Sequence, residues 1–226
     1  MICVVLIAVE LLVLFLPSWW ARAVLRRHSG ERKDYPGTGG EFARHLLDRY
    51  DMGQVGVEAT DRGDHYDPRA KMVRLSPGYM DGRSLTAVTV AAHEVGHAIQ
   101  DHQGYGPLAW RSRMVGMAQG AEKMGAGLMM FAPVLLLATR APAGGLIMLL
   151  AGMMSFGAAA LVHLVTLPVE LDASYRRALP ILASGYLPKK DLAPARRILT
   201  ACAFTYVAAS LSSMLNLWRW LAILRR

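Results

Sequence analysis

Three residues carry the strongest chemical signal in this chain: His93, Glu94 and His97, in the segment HEVGH. The histidines are four apart, so on an α-helix their rings leave one face with Cβ atoms about 6 Å apart. Two neutral imidazoles placed this way converge on one small cation, and zinc suits them. Glu94 is rotated by about 100° from His93 around the axis, within reach of a water beside the ion without being a ligand. That is where a general base belongs. Zinc brings water toward a pKa of ~7, and the carboxylate takes its proton as the water attacks a carbonyl, then returns it to the leaving amine. The expected chemistry is peptide-bond hydrolysis with one catalytic zinc and no covalent intermediate. Ala91, Ala92, Gly96 and Ala98 leave room on the same helix for substrate or a second element to approach closely.

A catalytic zinc needs three protein ligands and an open position. Asp101 continues the histidine stripe but lies about 12 Å along the axis from His93, too far to share an ion with both rings. The metzincin spacing wants Gly at 100 and His at 103, where this chain has Gln100 and Gln103, and His102 is out of register. The downstream candidates are Glu122, His163, Glu170, Asp172 and Asp191. Glu170 is favoured, because it follows an apolar run on the expected side of the histidines and begins a helical stretch able to face the first. The ligand set is then two histidines and one glutamate, a gluzincin-like arrangement. His163 lies deeper in the run and reads more simply as a buried, hydrogen-bonded histidine. His65 and Tyr66 are candidates to line the cleft, as is Tyr206 in the last apolar run, although a structural hydrogen bond is the simpler role for each.

The elements that position these residues follow from composition. Of 226 residues 54% are hydrophobic, and they gather into long runs rather than at amphipathic spacing. This favours a mainly α membrane protein with about four transmembrane helices and a small cytoplasmic α+β domain. The expected organisation is a first span over 1–21, a metalloprotease region over 22–123, a transmembrane hairpin over 124–167, a polar segment with the third ligand over 168–197, and a last span over 198–226. The first run is read as uncleaved, since it lacks a positive leader and is followed by Arg22, Arg26 and Arg27. Trp19 and Trp20 suit a headgroup boundary, and Glu10 is expected to face a polar neighbour. The net charge of +8 falls mostly beside the apolar runs. It therefore argues for lipid contact in a multi-pass membrane protein with its polar segments on the cytoplasmic side, rather than for nucleic acid. Cys3 and Cys202 have neither CxxC spacing nor a histidine partner and read as small apolar fillers.

Within 22–123, the spacing of Phe42, Leu46 and Leu47 predicts a helix over 38–50. Alternation predicts strands near 55–59 and 71–76, separated by a turn at His65-Tyr66-Asp67-Pro68. Ser84 or Thr86 is expected to start the histidine helix, which should end near Gly104 or Gly106-Pro107.

Five blocks then stand out in order: DHYDPR at 64–69, VRLSPGYM at 73–80, AAHEVGHAIQ at 91–100, LVTLPVELDAS at 164–174 and TYVAAS at 205–210. Together they resemble the YugP-type bacterial neutral zinc metallopeptidases, membrane proteins with HExxH between spans, and more distantly the HtpX and CAAX-prenyl protease class. The resemblance implies one zinc at His93, His97 and Glu170, with Glu94 as base. It also implies a protein or peptide substrate, in or near the membrane, that pairs with the strand around 71–75. In the HtpX-like pattern an Asp four residues after the glutamate ligand orients a histidine. Here that position is Ser174, and the nearest acid, Asp172, would point elsewhere on a regular helix. The rival readings are an inactive zinc-binding membrane scaffold or adaptor, which would have no use for Glu94, and a zinc transporter, which would need paired ligands in mid-membrane.

Overall fold

The computed structural model describes residues 2–139, 150, 162 and 166–205 and divides the chain into two units. One comprises Met1–Leu16, Trp110–Leu167 and Tyr206–Arg226; the other comprises Pro17–Ala109 and Pro168–Thr205. The elements run α1 (Ile2–Arg27), α2 (Gly39–Arg49), β1 (Gly56–Ala59), β2 (His65–Asp67), β3 (Met72–Leu75), α3 (Pro77–Met80), α4 (Leu85–His102) and α5 (Gly106–Thr139). A further helix, α6, spans 166–186, and α7 covers 189–205.

The second unit holds the candidate site, and local chemistry sets its elements. Thr38 caps α2: its side chain accepts from the Glu41 amide, and the Glu41 carboxylate accepts from the Thr38 amide, a reciprocal capping box. The apolar stripe of α2 puts Leu46 and Leu47 out of contact with solvent, which favours folding by about 1.5–3 kcal/mol each. Ser84 caps α4 by accepting from the Ala87 amide at 3.1 Å. That helix ends at His102, where Gly104 takes a positive φ of 65° that favours glycine. Residues Leu85 to Gln100 of α4 are all buried, so the HEVGH segment runs through the middle of the unit.

The strands form one mixed sheet in the order β1-β3-β2, with β1 parallel to β3 and β2 antiparallel to it. The stretch expected to be only a turn at 65–67 is therefore a strand, with Tyr66 opposite Val73. Its presence also corrects the expected peptide-pairing strand. Both sides of β3 are occupied, by β1 over Gly56–Ala59 and by β2 over His65–Asp67, so an extended peptide finds no open edge along 72–74.

The larger correction concerns fold class. Among the described residues no helix is long and apolar enough to cross a membrane, against the expectation of about four spans. The helix α5 carries Arg111, Arg113, Glu122 and Lys123. The apolar residues that open the expected last span, Ile198 and Leu199, are instead fully buried in the core of the second unit, together with Leu46, Val73, Val95 and Leu182. What the described residues show is an α+β arrangement of helices around a small sheet. The remainder of that last run, 206–226, and most of 140–165 lie outside the described residues.

Candidate metal centre

Glu170 of α6 is fully buried, and its Oε2 lies 3.2 Å from His97 Nε2 and 3.3 Å from His93 Nε2. One ligand atom from each of the three side chains falls within 4.8 Å of the others. The two carboxylate–imidazole separations fit a metal. Ligands at about 2.0–2.2 Å in tetrahedral array around zinc lie roughly 3.3 Å apart. Three electron-rich atoms buried at such distances repel one another unless a cation sits among them.

The outer edges of the rings settle which nitrogens face inward. Ser174 Oγ is 3.1 Å from His93 Nδ1 and donates its own proton to the Leu199 carbonyl at 3.4 Å, so it accepts from the ring. On the other histidine, Nδ1 is 2.9 Å from Gln100 Oε1. The Gln100 amide is fixed because its Nε2 donates to the Val169 carbonyl at 2.9 Å and to Asp172 Oδ2 at 2.8 Å. Both rings therefore carry the proton on Nδ1 and present the Nε2 lone pair to the cluster, the tautomer a metal needs. Arg177 completes the outer chain by donating from Nε to Asp172 Oδ2 at 2.7 Å. Burial alone would raise the Asp172 pKa, but the hydrogen bonds from Gln100 and Arg177 outweigh it and hold the carboxyl below its usual range.

Two features of the backbone bring α6 to α4. A Cβ on Gly96 would lie 2.8 Å from the Ala173 carbonyl oxygen, so only glycine allows the two helices to come this close. From Asp172 to Ala178, α6 is wound as a π-helix, which takes an extra residue into each hydrogen-bonded turn. With that winding, Glu170, Asp172 and Ser174 all serve α4: one in the cluster, one on Gln100, one on His93.

A family model described as "Putative neutral zinc metallopeptidase" matches residues 3–225. The chain belongs to that family. It is also 36% identical over 213 residues to the "Putative membrane protease YugP" of Bacillus subtilis (strain 168), covering 91% of each chain. No solved structure matches. The zinc metallopeptidase family brings zinc as the cofactor, and His93, His97 and Glu170 form a group able to hold it.

The other candidates of this neutral zinc metallopeptidase separate clearly. Glu94 is buried in α4 beside His93, with 5% of its surface exposed. Tyr66 donates its hydroxyl to Asp101 Oδ2 at 2.6 Å, an oxygen that Lys71 also holds at 2.6 Å, so it ties β2 to the end of α4. His65 Nδ1 lies 2.8 Å from the Gly63 carbonyl, a contact within its own turn. Asp191 pairs with Arg32 and accepts from the Tyr35 hydroxyl, away from the histidines. Tyr206 and His163, and the side chain of Glu122, lie outside the described residues. In the sequence, Gln100 marks the departure from the metzincin spacing, and its place three residues after His97, one turn along the same face, is the signal that it can hold the ring.

Proposed function

We propose that this metallopeptidase is a membrane-bound endopeptidase, with His93, His97 and Glu170 as the zinc ligands and Glu94 as the general base. The observation that carries the reading is the convergence of His93 Nε2, His97 Nε2 and Glu170 Oε2; Glu94, next to His93 in α4 and also buried, is a group that a purely structural metal would not require. Zinc bound there would acidify water and polarise the scissile carbonyl. The chain's own residues do the rest. Ser174 and Gln100 hold the two rings in the Nδ1–H tautomer, and the packing of α4 against α6 keeps bulk water from the ligands. The Glu94 carboxylate takes a proton from the attacking water and delivers it to the departing amine nitrogen.

Membrane or membrane-proximal proteins are the proposed substrates. The support is the name of the Bacillus relative, a membrane protease, and the exposed aromatic side chains Phe15, Trp19 and Trp20 on α1, a type favoured at the headgroup level. Arg22, Arg26 and Arg27 beside them favour the cytoplasmic face. The test is zinc content and cleavage of an unfolded membrane protein by the wild type and Glu94→Gln. Retained zinc with cleavage reduced at least a hundredfold is expected. Cleavage that survives the substitution would refute the role of Glu94, and a wild type that binds zinc but cuts nothing would favour a scaffold.

A further inference from the structure

A concavity of about 460 Å³ opens beside Asp172, between the ends of α2 and α4 and the π-helical part of α6. Three arginines line it, Arg49, Arg176 and Arg177, against a single carboxylate, Asp172, and Arg177 also donates from Nη1 to Gln103 Oε1 at 2.6 Å. That carboxylate is buried and already accepts from Gln100 and Arg177. Its charge offsets one guanidinium, so the cavity keeps an excess of positive charge. Arg176 is exposed and makes no ion pair among the described residues, and Arg49 donates to the Tyr186 hydroxyl and lies over its ring. Arginine forks match the oxygens of a phosphoryl group two at a time, which ammonium groups do not. The rest of the wall includes Tyr50 and Ile181, an apolar surface that an inorganic ion would not use. The volume is that of a small-molecule site.

We propose that this cavity binds an organic phosphate, its phosphoryl group held by Arg49 and Arg176 with the charge of Arg177 beside them, and its organic part lying on Tyr50 and Ile181. The same chemistry is offered by a soluble phosphomonoester and by the headgroup of an anionic phospholipid. The site needs no peptide hydrolysis, so it stands or falls independently of the activity proposed above.

The experiment uses the full chain loaded with zinc, at constant ionic strength. Phenyl phosphate is titrated calorimetrically, with benzoate and an acidic peptide as carboxylate controls. In parallel, flotation is compared on phosphatidylcholine vesicles with and without phosphatidic acid. The expected result is saturable binding of phenyl phosphate, or a gain in flotation on phosphatidic acid, and the arm that responds identifies the source. The double substitution Arg49→Gln/Arg176→Gln should weaken that binding at least tenfold while the melting temperature and zinc content stay unchanged. Arg176→Lys, which keeps the charge and loses the fork, should fall between the two. Equal binding by wild type and double variant overturns the proposal. So does benzoate or the acidic peptide binding as tightly as the phosphate, or no response in either arm.

Discussion

Gly96→Ala is a single added methyl group, and the structure says what it would meet. The new Cβ would sit 2.8 Å from the Ala173 carbonyl oxygen, 3.4 Å from its carbonyl carbon and 3.5 Å from its Cα. All three are backbone atoms, so no side chain can swing aside. Relief requires α4 and α6 to part by several tenths of an ångström, a displacement centred three residues from Glu170. Overpacking of this kind costs about 1–3 kcal/mol, or roughly 3–10 °C in the midpoint of thermal unfolding for a chain of this size. Ligand distances at a zinc site tolerate only about 0.2 Å, so the larger effect should fall on the metal. A loss of about 10–100-fold in zinc affinity is expected, the range seen when groups that orient ligands are removed. Competition with a chromophoric chelator measures the affinity, and calorimetry of the metal-free protein measures the packing cost separately. A folded Gly96→Ala protein with wild-type zinc affinity would show that the close approach of the helices does not set the position of Glu170.

Ser174→Ala should lower zinc affinity roughly tenfold by depriving His93 Nδ1 of its acceptor, with little change in the melting of the metal-free protein. Gln100→Leu should do both, since it frees His97 and also leaves the buried Val169 carbonyl and Asp172 short of a donor, at about 1–3 kcal/mol; equal melting of the two variants would contradict that bonding pattern. Tyr66→Phe should cost about 1 kcal/mol in unfolding free energy with zinc affinity unchanged, because its hydroxyl serves Asp101 and not the cluster. Acid stability provides a check on Asp191. Burial would raise its carboxyl, but hydrogen bonds from Arg32 and Tyr35 outweigh that and hold it below the usual range. A lowered folded pKa means its contribution is complete above the unfolded value near 4 and is lost as pH falls through the folded value. The melting temperature of Asp191→Asn should therefore change less than that of the wild type between about pH 5 and 3, and parallel curves would refute the assignment.

Local signals were the most readable part of this chain. Thr38 and Ser84 announce their helices because a cap is a contact within three residues. The strand β2 was missed because it is three residues long and pairs with β3 across a gap that its own HYDP signature disguises as a turn. The expected spans failed at Ile198 and Leu199 for a different reason: composition is the same whether an apolar run meets lipid or a protein core, and here the core claims it. At the metal centre, HEVGH names its own face of a helix. Glu170 had to be chosen among five candidates, and the structure brings it to the two histidines. The π-helical winding that aligns Glu170, Asp172 and Ser174 leaves no mark in the sequence, since it depends on how α6 seats against Gly96.

His97 and Glu170 stand 73 residues apart in the chain, and the stretch between them includes α5 and belongs largely to the other unit. An ion shared by these side chains is thus a staple across a long loop. Closing a loop of that length before folding would cost on the order of 4 kcal/mol in chain entropy, so the histidine helix alone can neither capture metal tightly nor keep it. During synthesis, a ribosome that has made HEVGH has not yet made a protease. The centre can close only after residues 168–205 have emerged and α6 has docked, so the group forms only once both segments that supply it have been made.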